Sequence, residues 1–470
     1  MAAISHPPFD TVVKAYDVRG REHVDLTVDM VRALAAALVD ETGEKEIVVG
    51  HDMRVSSPEF ADAFAQGAML RGAHVMELGL CSTDGLYCAS GIHSAAGAMI
   101  TASHNPAGDN GMKFCRSGAR PISRETGLAA MQERAEAYLA TGEIPEVPGG
   151  SREKVDLLGE YTERVVSLVP FARRRPLKIV VDAANAMAGF TMPAVAKQLP
   201  GIEIVPLYFE LDGTFPNHEA NPLDPENLRD LEAAVKREGA DLGLAFDGDA
   251  DRCFVVDERG QAVSASAITA LIATREIART RAEGEAQPAI VANVVSSRHV
   301  KDAIDASGGK YVRSKVGHSL IKGLMARENA VFGGEHSAHY YFRDFFFADS
   351  GMLAALHVVA ALSETDGTLS QLVGEHQPYA ASGEINRRVT SVADATEAVV
   401  AEFSAGSECD SLDGVSVVHW EGYKEADQWW FSLRPSNTEP MLRLNVEAVD
   451  PETMARVRDR ALEIIGKFAA

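Results

Sequence analysis

The 470-residue chain predicts an α/β protein: three related mixed α/β domains followed by a C-terminal α+β domain. Three observations predict it. Short apolar runs ending in Gly, Asn, Asp or Ser clusters alternate with amphipathic helical stretches, the pattern of repeated βαβ units. Beyond about residue 380 the pattern changes to runs of strands with helices set apart, as in α+β domains. The length also exceeds what a single core organises, and points to three or four domains.

Taken in order, residues 27–42 form an amphipathic helix and 46–50 a strand. Ser57-Pro58-Glu59 opens a second helix with Pro in its first turn. Strands over 74–80 and 95–101 follow, then a polar helix over 124–140. The Pro/Gly-rich segment 141–150 ends the first domain, 1–150. The second domain, 151–256, carries helices over 156–169, 192–198 and 226–238, with strands over 177–182, 204–208 and 242–246. In the third, 257–374, helices over 265–278, 298–306, 320–326 and 350–362 alternate with strands over 289–295, 310–316 and 330–332. The fourth, 375–470, has strands over 384–389, 415–420, 428–434 and 441–447 and helices over 393–403 and 453–468. No strict sequence period relates the first three.

Composition narrows the function classes. Hydrophobic residues make up 46% and charged residues 24%, as in ordinary soluble proteins. No apolar run approaches the ~18 residues of a membrane span. The opening Met-Ala-Ala-Ile-Ser-His-Pro-Pro-Phe-Asp has neither a basic patch nor an apolar stretch, so no secretory leader is expected. Five scattered cysteines (Cys81, Cys88, Cys115, Cys253, Cys409) fit reduced thiols in cytoplasm better than a disulfide framework. A net charge of −23 opposes non-specific nucleic-acid binding. A phosphorylated substrate would require basic residues gathered at one place.

The stretch Thr101-Ala102-Ser103-His104-Asn105-Pro106 follows the apolar run 95–100, which reads as a buried strand of a parallel sheet. Pro106, Gly108, Asn110 and Gly111 then force a turn. Ser103 is thus offered at the carboxyl end of a strand, where open α/β sheets hold ligands. Alone, the motif reads equally well as an ordinary tight turn.

Asp247-Gly248-Asp249-Ala250-Asp251-Arg252 places carboxylates at alternate positions between two apolar strands. An all-oxygen donor set selects a hard cation such as Mg²⁺. A calcium loop is the tempting alternative, because Glu258 stands at the twelfth position. However, Arg252 replaces the glycine required at the sixth, and the flanks are strands. Three aspartates and a phosphorylated serine carry about −5, and one Mg²⁺ leaves about −3; Arg252 offsets part of this.

Arg434-Pro435-Ser436-Asn437-Thr438-Glu439-Pro440 sits between two strands and supplies a guanidinium fork, hydroxyls and an amide, the donors for a phosphate dianion. Those residue types also dominate plain turns. Gly334-Glu335-His336-Ser337-Ala338-His339 mixes acceptors and donors, as sugar hydroxyls need. Lys14-Ala15-Tyr16-Asp17-Val18-Arg19-Gly20 reads as a strand and turn, and 341–347 as core and lid packing.

Together these motifs resemble the α-D-phosphohexomutase family, most closely its bacterial phosphomannomutase/phosphoglucomutase members: five segments in the family's order, at 14–20, 101–106, 247–252, 334–339 and 434–440. The resemblance implies four domains around a central active-site cleft. It makes Ser103 a phosphoserine that also ligates one Mg²⁺ per chain, with Asp247, Asp249 and Asp251 as the other ligands. Glu335 and Ser337 would hold sugar hydroxyls, and Arg434, Ser436, Asn437 and Thr438 the distal phosphate. Tyr16, Asn105 and His318 would also bind substrate. Lys113, Arg19, Arg252 and His339 would be catalytic, with Lys113 the stronger acid/base candidate because arginine accepts protons poorly.

The implied reaction is a phosphomannomutase's: mannose 1-phosphate and mannose 6-phosphate interconverting through a hexose 1,6-bisphosphate, with glucose phosphates as further substrates. The implied partners are hexose phosphates, not nucleic acid or membrane, for a cytoplasmic monomer or weak dimer. A phosphoglucomutase, a phosphoglucosamine mutase, a phosphosugar hydrolase and an inactive sugar-phosphate sensor are the alternatives. His336 argues against the glucosamine enzymes, whose loop usually has Gln there. Two departures stand out: Ala338 replaces a frequent Gly, and Val295 stands where some relatives have Lys, leaving Arg298 or Arg313 to supply that positive contact.

Overall fold

The computed structural model describes residues 7–173, 175–436 and 440–469, with the backbone alone for His318 and Ser319. The chain gathers into two compact units, the first comprising residues 1–263, 325–332 and 337–370, the second 264–324, 333–336 and 371–470.

The first unit contains two mixed sheets. One runs in the order Val18–Arg21, Asp109–Arg116, Ala96–Ile100, Glu46–His51, His74–Leu80, Ser151–Lys154. Its last four strands are parallel to one another. Helices Val28–Thr42, Ser57–Leu70 and Leu128–Thr141 contribute to the main core beside it. Thr27 caps the first of them, its side chain accepting from the Met30 amide.

Strand Asp109–Arg116 was not legible in the sequence. It returns antiparallel to Ala96–Ile100, pairing Met99 with Lys113, so Ser103 lies in the loop of a hairpin. Asn110 and Gly111 suggest a turn, yet both are buried in the strand. A side chain at 111 would meet the Val18 carbonyl at 2.1 Å, so glycine permits the outer strand Val18–Arg21 to pair there. Helix Thr83–His93 and the edge strand Ser151–Lys154 were likewise not expected, and the latter joins this sheet just past residue 150.

The second sheet has the order Ala262–Val263, Cys253–Asp257, Leu242–Phe246, Leu177–Asp182, Ile202–Leu207. The last three strands are parallel, and Cys253–Asp257 returns antiparallel to Leu242–Phe246. Residues 247–252 are therefore also a hairpin loop leaving the carboxyl end of a parallel-sheet strand. Helix Gly351–Ser363, buried along its whole length, packs on helix Leu158–Leu168 and strand Cys253–Asp257, which explains why 337–370 fold with this unit.

In the second unit, strands Ala289–Asn293 and Lys310–Ser314 pair in parallel beside helices Ala265–Ala282 and Arg298–Ala306. Its C-terminal sheet is antiparallel throughout: Ala380–Arg388, Met441–Ala448, Trp429–Pro435, Val415–His419, Glu408–Asp410. Helices Val392–Phe403 and Pro451–Gly466 share its core, giving the α+β arrangement the sequence predicts.

Candidate active site

In the first unit the two hairpin loops meet. Ser103 is buried, and its φ of 52° is left-handed. Its Oγ donates to Asp247 Oδ2 at 3.0 Å and lies 3.3 Å from His104 Nδ1. Gly248 makes the approach possible, since a Cβ there would stand 2.3 Å from the Ser103 carbonyl oxygen.

The three aspartates are fully buried, and ligand atoms of all three lie within 4.8 Å of one another. Lys113, reaching in from strand Asp109–Arg116, donates to Asp249 Oδ2 at 2.6 Å and Asp251 Oδ2 at 2.5 Å. Thr83 Oγ1 adds a bond to Asp249 Oδ2 at 2.5 Å. The remaining oxygens, Asp249 Oδ1 and Asp251 Oδ1, are buried without a hydrogen-bond partner among the described residues. Paired orphan acceptors in an all-oxygen cage fit a hard divalent cation. Glu258, the twelfth position of a calcium loop, instead accepts from the Ser370 amide at 3.0 Å and hydroxyl at 2.5 Å.

Electrostatics follow from this packing. Burial pushes the Asp247 carboxyl up against the opposing pull of Arg252. For Asp249, burial and the Asp251 charge push upward, but the Lys113 ammonium prevails and holds it low. Lys113 is correspondingly raised: burial works against its charge, and Asp249 and Asp251 overcome it. His104 is driven down to about 2 by burial and the Arg252 and Arg19 cations, so its ring is neutral.

Arg252 Nε donates to Asp247 Oδ2 at 2.8 Å, while its Nη2 is buried with no partner among the described residues. A β-bridge between Arg252 and His339 brings His339 Nε2 to 3.7 Å from Asp251 Oδ1. Ser337 Oγ lies 3.0 Å from His339 Nδ1. Arg19 donates to Asp17 at 2.7 Å, to Asn105 Oδ1 at 2.7 Å and to the Ala102 carbonyl at 3.2 Å. Tyr16, half-buried, precedes the same edge strand. Ser103, Lys113, Arg252 and His339 thus each contact at least one of the three aspartates, while Arg19 and Asn105 are tied to the Ser103 loop at Ala102.

The second unit holds the other predicted residues. Glu335, buried, accepts from Asn293 Nδ2 at 3.4 Å and the Gly317 amide at 3.2 Å. Asp413 accepts from the Val316 amide at 3.0 Å and stands 3.2 Å from Arg434 Nε, so the 316–317 turn and Arg434 share a carboxylate. The Ser436 amide closes its hairpin onto the Met441 carbonyl at 2.8 Å. Asn437, Thr438 and the His318 side chain lie outside the described residues. Val295 is buried, and the cations near it are engaged: Arg298 with Asp302 at 3.1 Å and with Glu421, Arg313 with Asp410 at 2.5 Å. Sequence reasoning missed Thr83, Asn293 and Asp413, which act on neighbouring protein groups and form no motif of their own.

A buried serine against a carboxylate cage, with a lysine and two arginines around it, defines a phosphoryl-handling α/β enzyme. Four family models cover the chain: the phosphoglucomutase/phosphomannomutase α/β/α domains I, II and III at residues 10–139, 159–260 and 265–379, and the C-terminal domain at 384–464. A phosphohexose mutase of Xanthomonas campestris pv. campestris is 39% identical over 96% of this chain and 97% of its own. An Escherichia coli phosphomannomutase is 37% identical over 96% and 98%. The crystal structure of a family protein from Burkholderia thailandensis superposes with a TM-score of 0.84 at 30% identity, covering 98% of both chains. The chain belongs to the phosphoglucomutase/phosphomannomutase family.

Proposed function

We propose that this protein is a phosphomannomutase that interconverts mannose 1-phosphate and mannose 6-phosphate and also accepts glucose phosphates. The observation that carries the reading is Ser103 Oγ set 3.0 Å from Asp247, in the cage whose other carboxylates Lys113 bridges. Phosphoserine 103 passes its phosphoryl group to the free hydroxyl of a hexose monophosphate. The resulting 1,6-bisphosphate, which also serves as activator, reverses in the site and returns its other phosphate. Lys113, proposed as the acid/base group, donates to Asp249 and Asp251 and brings a positive charge beside the Ser103 loop. Arg252, with a buried N–H free of partners among the described residues, and Arg19 neutralise the transferring group. One Mg²⁺ held by Asp247, Asp249, Asp251 and Ser103 would supply further charge neutralisation.

His339 is assigned a catalytic role in the same reading, and Tyr16 and Asn105 complete the proposed substrate contacts, with Glu335 and Ser337 on sugar hydroxyls. Arg434, Ser436, Asn437, Thr438 and His318 are assigned to substrate on the strength of the family's motifs. The same reading divides the chain into domains at 1–150, 151–256, 257–374 and 375–470. It places the protein in cytoplasm, where four buried cysteines and the exposed Cys409 remain thiols. No helix among the described residues is long and apolar enough to cross a membrane. Its partners are hexose phosphates, for a monomer or weak dimer, and the −23 charge disfavours nucleic acid.

A coupled assay on mannose, glucose and glucosamine 1-phosphates tests the reading. Turnover of mannose 1-phosphate, with glucose 1-phosphate also used, is expected. A clear preference for glucosamine 1-phosphate, or free phosphate released with each turnover, overturns it.

A further inference from the structure

The loop that carries Ser103 turns four carbonyl groups toward one buried side chain. Arg54, 1% exposed, donates from Nη2 to the carbonyls of Ser103 at 2.8 Å and Asn105 at 2.7 Å. From Nη1 it donates to those of Pro106 at 2.8 Å and Asp109 at 2.9 Å. Buried carbonyls need donors, and only a planar guanidinium fork can meet four from one side chain in fixed directions. Lysine has three donors around a point charge and cannot reproduce this.

The fork is itself held on two sides. Asp52 Oδ2 lies 3.2 Å from Arg54 Nε. Asp52 Oδ1 accepts from the Arg54 amide at 3.0 Å and from Ser57 Oγ at 2.6 Å. From the other side, the Phe215 ring covers the guanidinium with its centroid 5.2 Å from Cζ. Gly213 brings that loop in closely, since a Cβ there would be 2.7 Å from Arg54 Cα. The fork thus holds the backbone from the left-handed residue Ser103 through Asp109, the stretch that follows the hydroxyl directed at Asp247.

We infer that Arg54 is the positioning residue for phosphoryl transfer at Ser103: it fixes the loop backbone, and Phe215 fixes Arg54. This rests on the reading of Ser103 as the phosphoryl carrier. Arg54 itself touches neither substrate nor metal in this account. A misplacement of about 1 Å at a reacting group lowers rates on the order of 10²-fold.

The test compares the full-length wild type with Arg54→Lys and Phe215→Leu. It measures kcat and KM for mannose 1-phosphate, and backbone hydrogen exchange by mass spectrometry. For Arg54→Lys, kcat should fall on the order of 10²-fold with KM within about twofold, and exchange should accelerate at 101–111 while the rest of the unit is unchanged. Phe215→Leu should give the same split at about a tenth of that size, and decides the matter if Arg54→Lys does not fold. Unchanged kcat in the folded variants, loss confined to KM, or exchange raised evenly across the unit would overturn the inference. A wild type without mutase turnover would instead sink the functional reading, and the exchange comparison alone would then decide whether Arg54 holds the loop.

Discussion

Lys113 Nζ stands 2.6 Å from Asp249 Oδ2, and the same ammonium reaches Asp251 at 2.5 Å. The proposed catalytic lysine and two proposed metal ligands are thereby one buried charge system. The hairpin register pairing Met99 with Lys113 brings that lysine beside the Ser103 loop.

Lys113→Met leaves two buried carboxylates without their cation. Breaking a buried ion pair by removing one partner destabilises by about 3–5 kcal/mol. In chelator the variant should unfold at clearly lower temperature than the wild type. Added Mg²⁺ should raise its midpoint by more than it raises the wild type's, because the carboxylates then depend on the metal alone. Equal Mg²⁺ shifts would separate Lys113 from the metal cage.

Metal removal should abolish turnover, and Mg²⁺ should restore it. Asp249→Asn should raise the Mg²⁺ concentration for half-activation at least about tenfold, as a ligand change does. Titration of activity against free Mg²⁺ checks this, and an unchanged curve would remove Asp249 from the metal site.

Gly248→Ala places a methyl group 2.3 Å from the Ser103 carbonyl. Because the opposing atom is backbone, one of the two hairpin loops must move. Turnover should fall by about 10²-fold or more while far-ultraviolet circular dichroism stays near wild type. A fully active Gly248→Ala enzyme would show that the loops need not touch.

Asp84 supplies a pH dependence. Buried beneath the hydroxyls of Ser82, Ser350 and Tyr161, its carboxyl is pushed up by burial to about 6 from an ordinary 3.8. Between pH ~4 and ~6 the native state therefore holds more protons than the unfolded chain, so stability falls as pH rises across that window and then levels off. Two units correspond to about 3 kcal/mol. Urea midpoints for wild type and Asp84→Asn should thus diverge in the variant's favour from pH 4 to pH 7. A constant gap would mean Asp84 titrates normally.

Ala338 has a φ of 63° and is buried, so the departure from glycine noted in the sequence has a physical consequence. The left-handed conformation is strained by roughly 1–2 kcal/mol for a non-glycine residue, partly offset by glycine's greater unfolded-state entropy. Ala338→Gly should raise stability by up to about 1 kcal/mol, measured by urea unfolding. A destabilised variant would mean the methyl group packs better than the backbone suffers.

The sequence exposed what repeats a motif and concealed what depends on long-range pairing. The Asp247–Asp251 loop was readable because its carboxylates alternate between two apolar strands, both present in the structure. Ser103 was readable from the strand before it, but not the return strand, since Asn110 and Gly111 signal a turn and are buried in a strand instead. Lys113 consequently entered only through family resemblance, although the hairpin alone places it beside the aspartates. Arg54, Thr83 and Asp413 were invisible, because their work is done on backbone groups and on other side chains brought near by folding. Helix Gly351–Ser363 matches its predicted span within one residue at each end, but its apolar circumference does not say that it packs on helix Leu158–Leu168 and strand Cys253–Asp257.

The central claim is that Ser103 carries the phosphoryl group. The most direct test is turnover of mannose 1-phosphate by Ser103→Ala, with circular dichroism as the control for folding. A folded variant with activity reduced by at least about 10³-fold is the outcome this account requires. A folded variant that still turns over at close to the wild-type rate would contradict it.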